Sequence, residues 1–556
     1  MTDDVLAHFP PGATPRPEQA RLLRGLADAA AEAWEDEQAP RVLLIEAPPG
    51  VGKSHIAMTL ARWSGDAYLL TSQKLLQDQY EREFGTELQL VKGRDNYLCE
   101  RYGEARVPTS QGMCRRPRGP ACQCPYSRAK SAALAGPIFC TNTVYFATLR
   151  QWHGEQLRRR RLLIVDEAHN LESQLVGVAT VSFPAPEMRV WFGAPLPRLD
   201  SADAYRPLME EHLVRLETRL RDVGRTLDAL RPPETEIDDF LRMPPSGEEA
   251  ALIAERDTLK TALARVRFFV EGDDQEWALR YGAGADQALE LVPLSIAGPA
   301  AELLSACGEV VVLSSAFLGH HSAVAEHLGL AEDGVRVFRS ASPFALEQRP
   351  IVYRPVGRLS RATLAELEPA LFAEVAAILG RHADDKGLIH AASYAAARRL
   401  MAGLAERAPR DFPRLIFVDS SQAKLRALEQ HRASPLPTVL VSPSLREGVD
   451  LPDDFLRFQI ITKMPYPDLG DPWTAARRAR DQRWYALETA KALVQAYGRS
   501  CRNADDHGTT YILDAQFESF VRYYRALLPE WFLDAVEPAL RAQRRAEHPA
   551  AEDAFE

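Results

Sequence analysis

"EAPPGVGKSH", residues 46–55, follows the apolar run "RVLLIEA" (41–47) and leads into the helix-forming segment "SHIAMTLARW" (54–63). A strand, a glycine-containing loop and a helix in that order make a phosphate cradle. Gly50 and Gly52 let backbone amides close around phosphate oxygens, Lys53 supplies a point charge, and the Ser54 hydroxyl can ligate Mg²⁺. Ala47 stands where the first glycine of such a loop usually falls; Pro48, Pro49 and Val51 complete the loop, and His55 opens the helix. This stretch therefore predicts an ATP site on an α/β fold.

Further short apolar runs support that class: "DAYLLTS" (66–72), "RLLIVDEA" (161–168) and "EVVVLSSA" (309–316), then "GLIHAAS" (387–393), "RLIFVD" (414–419), "TVLVSPS" (438–444), "FQIITKMP" (458–465) and "TTYILD" (509–514). Near-continuous apolar strands between helical patterns indicate parallel sheets buried on both faces. Two α/β domains in tandem follow, as 556 residues exceed what one core usually supports. Between them, about 186–287 places apolar residues three and four apart, in "RPLMEEHLVRLETRLRDVGRTLDALR" and "EEAALIAERDTLKTALARVRFFVE". That spacing predicts a helical insertion, broken into separate helices at "RPPETE" and "RMPPSGEE" by proline.

"LLIVDEAHN" (162–170) ends a buried strand and so delivers Asp166 to the carboxyl edge of a sheet, where ligands of open α/β folds bind. Beside the phosphate loop, Asp166 suits Mg²⁺ and Glu167 suits polarising the attacking water. In "QAYGRSCRNADDHG" (495–508), Gln495, Arg499 and Arg502 can face the same nucleotide from the second domain, the arginines stabilising transition-state charge. ATP held between two lobes suggests a motor.

A formal net charge of -10 does not advertise nucleic-acid binding for the whole chain. Between Lys92 and Lys130, however, nine basic residues (Lys92, Arg94, Arg101, Arg106, Arg115, Arg116, Arg118, Arg128, Lys130) meet three acids (Asp95, Glu100, Glu104), a local excess of six. This stretch is either a phosphate-binding patch or a solvated charge run. It also holds Cys99, Cys114, Cys122 and Cys124 in a setting rich in Gly, Pro and Arg that could hardly build its own core. A metal cross-link would supply the missing stability, and thiolates admit either zinc or a four-iron four-sulfur cluster. Cys140, in the strand-like "GPIFCTNTVYF", reads as a core residue with a reserve role as ligand, and Cys307 and Cys501 read as packing residues. The amino terminus lacks a secretory pattern and no apolar run could span a bilayer, so a cytoplasmic chain without disulfides or a membrane partner is expected.

Together these residues resemble the DinG/XPD iron-sulfur helicases of helicase superfamily 2. The resemblance covers most of the chain outside the helical insertion. "RPEQ", with Arg16 and Gln19, looks like the family's adenine-side motif, and "TSQKLLQDQY" (71–80), with Ser72, Gln73 and Lys74, resembles its next, DNA-contacting one. "SPSLREGVDLPD" (442–453) resembles the motif that touches both DNA and nucleotide, through Arg446 on DNA and Gly448 and Asp450 on ATP; "QAYGRSCRNADD" fits the last motif. "GRDNYLC" and "CPYSRAK" match the flanks of the family's cluster ligands, assigning Cys99 first and Cys124 last, with Cys114 and Cys122 between. The resemblance implies two RecA-like lobes, an iron-sulfur module and a helical arch inserted in the first, and ATP- and Mg²⁺-dependent movement 5′ to 3′ on single-stranded and forked DNA, by a monomer. The charge of the basic stretch sets Lys92 and Arg94 against the DNA backbone, with Tyr97 and Tyr126 as base-stacking or packing residues.

Two departures stand out. "SSAFL" puts Phe317 where the family's third motif has a hydroxyl, and one residue alone separates Cys122 from Cys124. If Phe317 uncoupled hydrolysis from movement, the chain would be an ATP-gated DNA-binding scaffold or a translocase without strand separation. The expected division assigns 1–91, 137–185 and 288–335 to the first lobe, 92–136 to the iron-sulfur module and 186–287 to the arch. It assigns 336–544 to the second lobe and 545–556 to a disordered tail.

Overall fold

The structure is a computed structural model that describes residues 4–115, 123–183, 197–231, 240, 243–272, 276–282, 289–420, 423–445, 451, 453–499 and 506–547. All nine apolar runs are strands, and they divide between two wholly parallel sheets. The first has seven strands in the order Val335–Arg339, Val42–Glu46, Gly308–Ser315, Arg160–Asp166, Ala67–Thr71, Ile138–Asn142, Gln89–Leu90. The second has six, in the order Ile351–Tyr353, Thr509–Ile512, Phe458–Ile461, Gly387–His390, Val439–Ser442, Leu415–Phe417. Every residue of Val42–Glu46 and Ala67–Thr71 is buried, as a strand covered on both faces requires.

Register decides where the chemistry falls. Glu46 pairs with Ser315, and Asp166 with Ser314, so the phosphate-loop strand, the "SSAFL" strand and the "DEAH" strand end level with one another. Ala67–Thr71 lies on the far side of the Asp166 strand and brings Ser72 to Lys74 beside it. All four ends lie on the carboxyl edge of one sheet, where open α/β folds bind their ligands.

The insertion does contain the two long helices, Arg206–Ala229 and Gly247–Glu271. They pack with an antiparallel sheet of Val181–Phe183, Leu289–Pro293 and Trp277–Tyr281 around one core that includes Tyr205, Leu216, Ile253, Phe269 and Leu291. The Trp277–Tyr281 strand corrects the purely helical reading of 186–287: "WALRY" is five residues long and is overshadowed by the helical periodicity preceding it. The Val335–Arg339 strand belongs to the first sheet, so the expected boundary after 335 falls at its start. Helix Glu530–Glu547 runs through the first three residues assigned to the tail; 548–556 lie outside the described residues.

The cysteine-bearing segment is built from short 3₁₀ turns and one bridge, Leu98 to Pro108. Its own buried cluster is Cys99, Tyr102 and Met113, too little to fold alone. Its exit helix, Pro125–Ala135, is fixed by Arg160, a fully buried side chain. The guanidinium donates to the carbonyls of Ala133, Leu134, Gly136 and Pro137 at 2.6 to 3.1 Å and lies 3.3 Å from Asp66. A cation there also suits the negative end of the helix dipole. On its other side the segment meets the insertion, where Arg115 pairs with Asp257 and its carbonyl accepts from Arg256 at 2.7 Å.

The lobes meet through buried contacts. Glu172 and Arg477, each no more than about a tenth exposed, pair at 2.6 Å, and His327 sits between Glu172 and Asp481 at 3.5 and 3.2 Å. No helix among the described residues is long and apolar enough to cross a membrane.

Candidate active site

The phosphate loop has the shape its sequence implies. Gly52 has φ +86°, and a Cβ there would meet the Gln19 amide nitrogen at 2.3 Å, so only glycine fits. Gln19, buried, accepts from the Arg16 amide at 2.8 Å, and the Arg16 guanidinium reaches the Gly50 carbonyl at 2.5 Å. These two residues thus brace the loop. Lys53 lies at the start of helix Lys53–Ser64 and donates to the Ala47 carbonyl at 3.1 Å. Ala47 and Val51 are buried; His55 packs its ring against Phe9 and Phe84.

Asp166 and Glu167 stand together at the strand end but ionise differently. Burial and the neighbouring Glu167 push Asp166 up to about 6, against the opposing pull of Lys53 and a hydrogen bond from Tyr80. Burial also acts on Glu167, but the His169 ring 3.3 Å away, with Lys53 and Arg499, holds its carboxyl well below the usual range. One carboxylate stays ionised beside another that is held back, the separation expected of paired acids with different tasks. Glu167 has φ +52°, a left-handed conformation seldom adopted by a residue with a side chain. Strain of this kind, about 1–3 kcal/mol, persists where surrounding structure fixes it.

The second lobe completes the site. Gln495, buried on helix Gln482–Tyr497, brings its side-chain nitrogen to 3.3 Å from His169 Nδ1, and Arg499 lines the same cleft of about 700 Å³ as Glu167, His169, Ser72 and Gln73. Gly498 comes so close to the phosphate loop that a Cβ would lie 2.8 Å from Pro49. Pro48 and Pro49 in turn face Phe344, Tyr497 and Trp531. Arg502, Arg446, Gly448 and Asp450 lie outside the described residues.

His169 and Ser315 were not singled out as site residues, although both stand in quoted motifs. His169 Nδ1 lies 2.9 Å from the Ser315 hydroxyl, which bonds the backbone of Phe317 at 3.1 and 3.3 Å. Phe317, 2% exposed, belongs to the core of the second lobe with Met464, Leu487, Ala490 and Val494. The side chain that breaks the hydroxyl pattern is therefore a contact between lobes.

Several residues expected on DNA are otherwise engaged. Lys92 pairs with Asp78 and Glu81 at 2.5 and 3.1 Å, and Arg94 stacks on the Tyr126 ring at 4.1 Å. Tyr126 is buried, edge-on to Tyr97, so both tyrosines pack rather than present open faces. Arg128 pairs with Glu100. Three of the nine basic residues, Lys92, Arg115 and Arg128, thus pair with carboxylates and help to stiffen the segment. Ser72 and Gln73 do face the cleft, while Lys74 is exposed and donates to Asn96 at 3.4 Å.

Of the four thiols, Cys114 and Cys124 are neighbours, and burial and that contact raise the Cys114 thiol while Arg94, 4.0 Å from its sulfur, opposes. Cys99 is buried in the same segment, and Cys122 lies outside the described residues. Among the described residues no three His, Cys, Asp or Glu side chains form a group able to hold a metal. The donor chemistry thus fits a thiolate centre in part. Cys140 lies elsewhere, fully buried in the sheet core, with burial driving its thiol far up.

Residues 379–535 match the family described as a helicase C-terminal domain. The ATP-dependent helicase DinG of Mycobacterium tuberculosis is 26% identical over 490 residues, covering 78% of this chain and 70% of its own length. A regulator of telomere elongation helicase 1 homolog from Caenorhabditis elegans is 29% identical over 124 residues, 19% of this chain and 12% of that one. The solved structure of an XPD helicase superposes with a TM-score of 0.58 at 13% identity over 93% of this chain and 98% of its own; that of Xpd4 from S. tokodaii gives 0.53 at 14% over 91% and 97%. At such identity the structural likeness speaks to the fold, two tandem RecA-like lobes. The matched domain and the sequence relatives make this chain similar to DinG-type ATP-dependent helicases over most of its length, on the fold that XPD helicases share.

Proposed function

We propose that the chain is an ATP-dependent DNA helicase that moves 5′ to 3′ along a single strand and opens forked duplexes. The observation that carries this reading is the convergence of Lys53, Asp166 and Glu167 on one sheet edge with Gln495 and Arg499 from the other lobe. Lys53 and the loop amides bind the phosphates. Ser54 and Asp166 would hold Mg²⁺, which when bound neutralises phosphate charge. Glu167, kept ionised by His169 and the surrounding cations, accepts hydrogen bonding from the attacking water, and Arg499 and Arg502 face the developing charge. His169 touches Glu167, Gln495 and Ser315, so the lobes sense the same ring.

Cys99, Cys114, Cys122 and Cys124 are proposed to hold a four-iron four-sulfur cluster that, when bound, cross-links a segment with almost no core of its own. The stiffened segment, anchored on Arg160 and touching the arch at Arg115, would act as a wedge beside the DNA. Replacing Lys53 with alanine should abolish DNA-stimulated ATP hydrolysis; retained hydrolysis would remove the site assignment. Anaerobically purified protein should carry about four irons per chain, in a brown sample that Cys99→Ser bleaches. Stoichiometric zinc without iron would overturn the cluster. ATP hydrolysis and DNA binding without strand displacement would select a scaffold or a translocase instead.

A further inference from the structure

Tyr80 lies on helix Lys74–Phe84, is 1% exposed, and donates its hydroxyl to Asp166 Oδ2 at 2.9 Å. The Ser54 side chain is near enough to the same hydroxyl to act on it. A phenol buried in an apolar core gains nothing over phenylalanine unless its oxygen is satisfied, since an unpaired buried hydroxyl is costly. Here the ring packs in the core with Phe84 while its oxygen meets the two side chains assigned above to the divalent cation. Helix Lys74–Phe84 is itself held by Gln77, which donates to the Val91 carbonyl at 3.1 Å and accepts from Asn142 at 3.2 Å. The phenol is therefore a fixed support.

We propose that Tyr80 is a positioning residue of the metal site, its hydroxyl holding the Asp166 carboxylate and the Ser54 hydroxyl in the arrangement that receives the cation. This rests on the assignment of Ser54 and Asp166 as metal ligands. A group that orients a ligand acts on cation affinity more than on nucleotide affinity, because it touches neither base nor phosphate.

Mn²⁺ binding to the protein–ADP complex, followed by the electron paramagnetic resonance signal of free Mn²⁺, tests this without turnover. Tyr80→Phe keeps the ring, so its melting midpoint and metal-free ADP affinity should match the parent, while Mn²⁺ affinity falls roughly 10-fold or more, as loss of outer-shell partners usually costs. Tyr80→Phe that binds Mn²⁺ like the parent, while Asp166→Asn loses it, overturns the role of Tyr80 alone. If Asp166→Asn also binds Mn²⁺ normally, the metal-site assignment itself fails. Equal losses of Mn²⁺ and metal-free ADP affinity in Tyr80→Phe would mark a packing residue and overturn the proposal too.

Discussion

Replacing Phe317 with alanine removes the side chain by which the first lobe enters the core of the second. The ring is 2% exposed and clusters with Met464, Leu487, Ala490 and Val494, and Gly319 just beyond it leaves no room for a Cβ against Leu487. Truncating a buried phenylalanine costs about 3–5 kcal/mol. Its partners here belong to the opposite lobe, so the loss falls mainly on docking, roughly two to three and a half powers of ten in the docked-to-undocked ratio. The bonds from His169 through Ser315 to the Phe317 backbone lie within the first lobe and survive in the variant, but Gln495 and Arg499 reach the site from the second lobe. ATP hydrolysis should therefore fall with the docked fraction, and base pairs opened per ATP with it. Amide exchange in helix Gln482–Tyr497 should quicken at Leu487 to Val494. Unchanged exchange there, together with unchanged coupling, would refute the view that this contact joins the lobes.

Removing Arg477 takes from the buried Glu172 carboxylate its guanidinium partner, leaving the His327 ring at 3.5 Å, and should cost about 3–5 kcal/mol. The paired change Arg477→Met with Glu172→Leu should recover most of that loss in urea unfolding, since the desolvation of both charges disappears with them. His431 gives the second lobe a pH dependence. Burial lowers its imidazole to about 4 against the Phe455 carbonyl at 2.8 Å, with Lys386 and Arg432 adding to the effect. The unfolded chain takes up a proton below about 6.5 that the folded one refuses. Stability from this group is thus complete above 6.5 and lost as pH falls toward 4, about 2 kcal/mol of it by pH 5. Urea midpoints at pH 7 and 5 should show that slope, flattened in His431→Gln.

The catalytic edge was legible because the determinants are local: a strand must precede a phosphate loop, and four apolar residues must carry Asp166 to a sheet end. The same logic found Cys140 in the core. It missed Trp277–Tyr281 and Val335–Arg339, which are short, and it placed the latter across a domain boundary. Side-chain partners were less legible than elements. Lys92 and Arg94 were read by charge alone, but Asp78 and Glu81 reach Lys92 from a helix more than ten residues earlier, and the Tyr126 face that receives Arg94 comes from 32 residues later. Tyr80 was quoted only within a motif, since nothing in its neighbours in sequence announces that its hydroxyl meets Asp166.

Phe317 shows why a departure from a motif is best judged by its contacts. As a missing hydroxyl it suggests weakened coupling, because a polar link between lobes has been lost. In the structure Ser315 already supplies the hydroxyl that meets His169, and Gln495 supplies a second polar link from the opposite lobe. An additional hydroxyl at 317 would be buried in the apolar cluster that Phe317 shares with the second lobe. Burying it there would cost roughly 1–3 kcal/mol unless it found a partner, whereas the phenyl ring gains by leaving water. The substitution thus exchanges a directional bond for a larger, less directional contact, which holds the lobes together without fixing their angle as tightly. Coupling carried this way should tolerate Phe317→Leu and fail with Phe317→Ser, the reverse of the order a polar link would give.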